Sequence, residues 1–197
     1  KEKDKGKSVS IIGAGPAGLA AAYFLQIKGY SCTIYDRNVI AGGSLKKEVD
    51  AKILPAEILA AELDIIQKLG TKFMMKTEVD ASLFNKIKSN SDAVVIASGQ
   101  GESGAQGWGL EMSTSGIMAD KDSYQVSESH IFVVGSALKP TKLAIRTLGQ
   151  GKEVSFSVDQ FLKGETVTGE QSRFNSRFGK LFPEEFAEYM KESVEGK

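Results

Sequence analysis

Residues 9–37 read VSIIGAGPAGLAAAYFLQIKGYSCTIYDR, and the order of residue types in this stretch decides the fold. Lys7 to Ile12 is a strand ending in an apolar pair. Gly13-Ala14-Gly15-Pro16-Ala17-Gly18 follows, a GxGxxG pattern. Pro16 to Ile27 reads as a helix, with proline in its first turn and small residues on one face. Ser31 to Tyr35 is a second strand rich in β-formers, and Asp36 follows it directly, 18 residues after Gly18. The glycine pattern alone is weak, but strand, fingerprint, helix, strand and acid in this order are a strong signal for a bound dinucleotide. Gly13 permits the tight turn. Gly15 lets the backbone approach a pyrophosphate whose charge sits at the helix N-terminus, and Gly18 lets helix and strand pack closely. The Asp36 carboxylate is the expected acceptor for an adenosine ribose, and it disfavours the extra phosphate of NADP, although the adjacent Arg37 blurs that discrimination.

Outward from this unit the pattern stays α/β. Residues 36–54 have no clear period and are expected to form a long loop containing Gly42 and Gly43. Pro55 to Leu69 is an amphipathic helix with Ile58, Leu59, Leu63, Ile66 and Leu69 on its apolar face, stopped by Gly70. Lys72 to Lys76 reads as a strand and Ala81 to Ile87 as a short helix. Asp92 to Ala97 is an all-apolar strand of the kind buried in a parallel sheet. A glycine-rich bridge follows, holding Trp108, the one tryptophan. A weak strand pair is expected within 116–126, a buried strand over Ile131 to Val134, and a long helix over Thr141 to Leu162. Gly149 and Gly151 should each weaken that helix by about 1 kcal/mol relative to alanine. The tail from Gly164 onward reads as an irregular arm with a short helix from Pro183 to Met190. The fold class is therefore α/β: a Rossmann-like domain with a central parallel sheet flanked by helices and a small antiparallel β layer.

Composition excludes several alternatives. The 197 residues carry 25 Lys plus Arg against 25 Asp plus Glu, and this balance argues against nucleic-acid binding. One cysteine, Cys32, rules out an internal disulfide or CxxC pair, and one histidine, His130, leaves no imidazole cluster. Cys32 reads as a small buried hydrophobe and His130 as a surface or capping residue. Glu57, Glu62 and Asp64 read as a solvated helix face, and no metal site is expected. No apolar run is long enough to span a bilayer, so membrane insertion is not expected and the cytoplasm is the simplest location.

Residues 9–37 resemble the FAD-binding start of the two-dinucleotide-binding-domain flavoproteins, and among these the glutamate synthase small (beta) subunit and its iron–sulfur-linked relatives. The resemblance continues through Ala41-Gly42-Gly43, the run Val94-Val95-Ile96-Ala97-Ser98-Gly99, the strand His130 to Ser136, and the helix from Lys142 to Gly151. It implies FAD as cofactor, held by Gly13, Gly15, Pro16, Ala17, Gly18, Asp36, Arg37, Gly42, Gly43, Ala97, Ser98, Gly99, Gly135, Ser136, Lys142 and Leu143, with no catalytic side chain assigned.

Three departures qualify it. Between Gly99 and Gly116 the family carries a whole NAD(P)H-binding domain, where this chain has a short linker, and no second fingerprint is expected. The family's closing Gly-Asp is here Gly135-Ser136, which exchanges a charged acceptor for a neutral hydroxyl. Glu48-Val49-Asp50 stands where relatives approach the flavin edge; an acid pointing there would lower the flavin potential, and a surface loop is the alternative. Trp108 is expected either to stack over the flavin or to cover apolar surface left by the absent domain. Residues 1–163 are thus expected to form the FAD-binding domain, with a linker over 100–115, and residues 164–197 an arm. The expected function is an electron-transfer module of a larger oxidoreductase, passing electrons between flavin and a protein partner such as an iron–sulfur protein. A second copy of the chain is the other candidate to cover the exposed face. A noncatalytic FAD- or ADP-binding scaffold, and a fragment of a longer reductase, remain open alternatives on these residues.

Overall fold

The computed structural model describes residues 1–47, 49–99, 106–141 and 143–170. β1 (Ser8–Ile12) leads through α1 (Pro16–Ile27) to β2 (Ser31–Asp36). The short α2 (Ser44–Lys47) and α3 (Ala56–Lys68) precede β3 (Lys72–Met75), and α4 (Ala81–Asn90) precedes β4 (Ala93–Ile96). A hairpin of β5 (Met112–Ser113) and β6 (Gly116–Ile117) follows, and β7 (Ile131–Val133) leads into α5 (Ala144–Leu162). Five strands form one parallel sheet in the order β3-β2-β1-β4-β7, and β5 and β6 pair antiparallel.

The central strands are buried on both faces, which is why they read as unbroken apolar runs. Successive residues point to opposite sides. Ile11 and Val95 join a core with Leu25, Cys32, Val154 and Val158 under α1 and α5. Their neighbours Ile12 and Val94 join a second core with Phe84, Ile87 and Trp108. On the first side α1 and α5 pack backbone against backbone. A Cβ on Gly151 would lie 2.3 Å from the Ala17 carbonyl oxygen and 2.7 Å from Ala20 Cβ. The small face of α1 and the glycine of α5 are thus one feature: they bring α5 close enough for its first turns to reach the sheet's C-terminal edge.

At the opposite end Asp159 of α5 ties four segments together. Its carboxylate accepts from the Tyr30 hydroxyl at 2.6 Å and from the ammonium groups of Lys163, Lys28 and Lys5 at 2.9, 3.2 and 3.4 Å. Burial alone would raise this carboxyl, but the Tyr30 hydroxyl, Lys163 and Lys28 hold it well below the usual carboxylate range. Burial, reinforced by the Asp159 hydrogen bond, pushes the Tyr30 phenol well above its ordinary value. Burial likewise pushes the Cys32 thiol up to about 12, in keeping with a packing role.

Several local expectations shift. Residues 36–54 are not all loop, since α2 lies within them. α3 forms, but it buries only Ile66, and Ile58 is left exposed. The antiparallel pair falls at 112–117 rather than 116–126, and beyond it Gln125 makes a single antiparallel bridge to Phe132. Gly116 sets this position: its missing Cβ would lie 2.4 Å from the Ala137 carbonyl oxygen. α5 begins at Ala144, three residues after the expected start. The expected helix from Pro183 to Met190 lies outside the described residues. No helix among the described residues is long and apolar enough to cross a membrane.

Candidate functional site

From β1 the chain moves one way to β2 and β3, and from β4 the other way to β7, so β1 and β4 flank the point where the strand order reverses. Ligands of open α/β sheets bind beyond the carboxyl ends of the strands at such a point. A cleft of about 670 Å³ opens there. It runs from the segment after β3, over Gly13 and Gly15, to Gly135 and the first turns of α5.

The glycines divide the work of shaping it. Gly13 has φ +111°, and a Cβ on it would lie 2.2 Å from the Ala97 carbonyl oxygen, so the loop after β1 and the end of β4 meet through this position. Gly18 does not face the cleft; its missing Cβ would strike the Gly13 carbonyl oxygen at 2.0 Å, the helix–strand closeness expected of it. Gly15 differs from both. It is the N-cap of α1 with φ −81°, no side chain caps that helix, and a Cβ there would meet nothing within 4 Å. The first N–H groups of α1 therefore stand before open space bounded by Gly15, Pro16 and Ala17. Gly43, with φ +53°, presses from the other side, its missing Cβ 2.8 Å from Gly15 Cα. Gly42 stands behind it, outside the cleft, donating its N–H to the Ala14 carbonyl at 2.8 Å.

Asp36 lines the cleft beside Arg37 and is already engaged. One carboxylate oxygen accepts the Ala14 N–H at 2.6 Å, and the other accepts the backbone N–H and side-chain amide of Asn38, each at 2.7 Å. Ala97, Ser98 and Gly99 line the cleft from the end of β4, and Gly135 and Ser136 from the end of β7. Gly135 donates its N–H to the Gln150 side-chain oxygen at 3.0 Å. Leu143 stands outside the cleft: it caps α5, and 62% of it is exposed. Lys142 lies outside the described residues, as does Glu48. Asp50 is exposed, its carboxylate accepting the Lys52 N–H at 2.8 Å, and it is Val49 of that triplet that lines the cleft.

Other walls were not foreseen. Thr77, Glu78 and Val79 close the Asp36 end, and Thr141, Ala144 and Thr147 the Gly135 end. Only α5 offered a signal, since its positions 144 and 147 share one helical face. Trp108 lines the cleft from its core side. It is buried, its ring stacks on Phe84 at 4.7 Å, and its indole N–H donates to the Val79 carbonyl at 3.2 Å. The turn Gln106–Trp108 thus lies at the Asp36 end, and the tryptophan becomes a wall there because it packs on Phe84 of α4. The letters of the fingerprint do recur, against expectation, at 99–104 (GQGESG). Residues 100–105 lie outside the described residues, and the next described element is the single 3-10 turn Gln106–Trp108.

Comparison with known proteins agrees with this architecture. A 95-residue stretch is 43% identical to the beta subunit of the NADP(+)-dependent formate dehydrogenase of Moorella thermoacetica, covering 48% of this chain and 13% of that protein. A 97-residue stretch is 38% identical to a protein of Cereibacter sphaeroides described as an NADPH glutamate synthase small chain, covering 49% of this chain and 24% of that protein. This chain thus spans at most about a quarter of the length of these relatives. The crystal structure of THI4 from Thermovibrio ammonificans shares the fold, with a TM-score of 0.58 at 19% identity over 80% of this chain and 90% of that one. The sequence profile of the pyridine nucleotide-disulphide oxidoreductases matches residues 7–155. This match extends over most of the chain, from the first strand well into α5, and the chain belongs to the pyridine nucleotide-disulphide oxidoreductase family.

Proposed function

We propose that this chain is an FAD-binding electron-transfer module of a larger oxidoreductase. The observation that carries the reading is the open space at Gly15 before the uncapped N-terminus of α1, a cradle into which any side chain at this position would project. A pyrophosphate fits it by charge and by close backbone approach. In this reading Gly13, Gly15, Pro16 and Ala17 hold the two phosphates through backbone groups, with Gly18 keeping α1 against the turn. Asp36 and Arg37 meet the adenosine ribose, Asp36 keeping its Ala14 hydrogen bond while accepting from the sugar. Gly42 and Gly43 shape the wall along the middle of the cofactor, opposite Ala97, Ser98 and Gly99. The ring system lies toward Gly135, Ser136 and the start of α5.

Bound FAD supplies the electron-carrying chemistry, while the protein supplies binding and orientation. Ser136 offers a neutral hydroxyl where relatives are expected to offer an acid, so cofactor affinity rests more heavily on the α1 cradle. The chain passes from Gly99 to Met112 across a short linker, and this supports a module without a nicotinamide site of its own. Electrons then pass to or from a protein partner, with an iron–sulfur protein the first candidate, in the cytoplasm. The relatives named as beta subunits support such an assembly. Residues 1–163 act as the cofactor domain and 164–197 as an arm.

The test is spectroscopic. Protein purified with FAD should show the visible flavin absorption, bleach with dithionite, and keep its colour when mixed with NADH or NADPH alone. Rapid bleaching by either nicotinamide, or protein that takes up no flavin, contradicts the proposal.

A further inference from the structure

A second cavity, of about 420 Å³, lies between the β5–β6 hairpin and the first two turns of α5. It sits back to back with the dinucleotide cleft. Ala144 and Thr147 of α5 face the cleft, while Arg146 and Gln150, four residues apart and so on one helical face, line the second cavity. Thr141 lines both. The volume falls within the range of about 300–1,000 Å³ typical of small-molecule pockets. Its chemistry is one-sided. Ile117, Met118 and Leu138 supply an apolar floor, Lys121, Lys139 and Arg146 supply three positive charges, and no carboxylate lines it among the described residues. Neither the Lys139 ammonium nor the Arg146 guanidinium has a hydrogen bond or ion pair with any described residue, whereas seven other cationic side chains among the described residues form salt bridges. Met118 is half exposed on the floor, leaving apolar surface in reach of solvent.

We propose that this cavity is a second binding site, for a small organic anion whose carboxylate or phosphate is held by Lys139 and Arg146 and whose apolar body lies on Ile117, Met118 and Leu138. A guanidinium and an ammonium converging on one anionic group form charge-assisted hydrogen bonds, the stronger class of such bonds. One hydrogen bond joins the walls of the two cavities. Gln150 lines the second cavity and accepts the hydrogen bond of the Gly135 N–H, which lines the first.

The experiment is a residue-resolved NMR titration of the full chain with hexanoate and, separately, hexyl phosphate, with hexanol as the uncharged control. The expected result is saturable shifts of the amides of Ser113–Ala119, Leu138, Lys139 and Arg146, accompanied by Gly135, with hexanol at least about tenfold weaker. Tighter hexanoate identifies a carboxylate ligand, and tighter hexyl phosphate a phosphate ligand. The exposed double variant Lys139→Gln, Arg146→Gln should keep the dispersed spectrum of the folded protein and lose at least about tenfold in affinity for both anions. The proposal is overturned if neither anion perturbs these amides at about 10 mM. It is equally overturned if the shifts are confined to Gly13–Gly15, or if the folded double variant binds as tightly as the parent. Because the titration needs no flavin, its outcome is separate from that of the cofactor test above.

Discussion

The carboxylate of Asp36, at the end of β2, accepts the backbone N–H of Ala14 at 2.6 Å. This bond joins the second strand to the middle of the glycine turn, so the acid proposed to receive a ribose also shapes that turn. Its second oxygen is filled by two groups of Asn38. In Asp36→Asn one oxygen becomes an NH₂ that meets an N–H donor on either side. The variant should lose stability by about 1–2 kcal/mol without nucleotide and weaken FAD binding by about 1–3 kcal/mol. Thermal melts with and without FAD separate the two effects, and an unchanged affinity contradicts the role given to this residue.

Gly15 and Gly43 make a matched pair. Gly15→Val places its side chain in open space at an ordinary φ, so the protein should melt within a few degrees of the parent and contain no flavin. Gly43→Ala adds a Cβ at φ +53°, 2.8 Å from Gly15 Cα, and should lower stability by about 1–3 kcal/mol as well as binding. Flavin content per mole of folded protein, measured beside the melting temperature, distinguishes a blocked cradle from a collapsed one.

Two glycines that look equivalent in α5 should respond oppositely. A Cβ on Gly149 meets nothing within 4 Å, so Gly149→Ala should stabilise by about 0.5–1 kcal/mol. Gly151→Ala strikes the Ala17 carbonyl and Ala20, forces α5 off α1, and should cost about 1–3 kcal/mol. Denaturant midpoints of the two variants check this directly.

The Asp159 clamp should make the stability of the fold depend on pH. An acid held below its ordinary value of about 3.9 contributes stability that is fully present above that pH and lost as the pH falls toward its folded value. A phenol held above its ordinary value of about 10 contributes stability present below that pH and lost as pH rises beyond it. The Cys32 contribution is lost from about pH 8.5 upward in the same sense. Stability should therefore be level from roughly pH 4 to 8.5 as far as these groups decide it. Asp159→Asn should cost about 2–3 kcal/mol at neutral pH and flatten the acid limb. Urea midpoints across the pH range test both statements.

Legibility in the sequence followed the range of the interaction. Gly18 and Asp36 were readable because their partners, Gly13 and Ala14, lie within one βαβ unit whose geometry is repeated wherever the pattern occurs, whereas the contact of Gly13 with Ala97 forms only when β4 is in place. The buried runs of β4 and β7 were readable because a parallel sheet covers both faces. What Thr77, Val79 and Trp108 do was not, since a loop after β3 and a linker beyond β4 meet only once the sheet is assembled. Gly151 looked like a helix defect until its partner Ala17, more than a hundred residues away, was beside it. The face of α3 misled because periodicity reports which residues are apolar, and Ile58 is apolar yet has nothing above it.

The central claim is that one FAD lies across the α1 cradle with its adenosine end near Asp36. Trp108 is the only tryptophan, and it contacts Val79 at that end, so it reports on the site without a label. Titrating nucleotide-free protein with FAD while following Trp108 emission should give saturable quenching at one equivalent, and Gly15→Val should abolish it. Emission that stays unchanged through high-micromolar FAD, or equal quenching in Gly15→Val, would contradict the account.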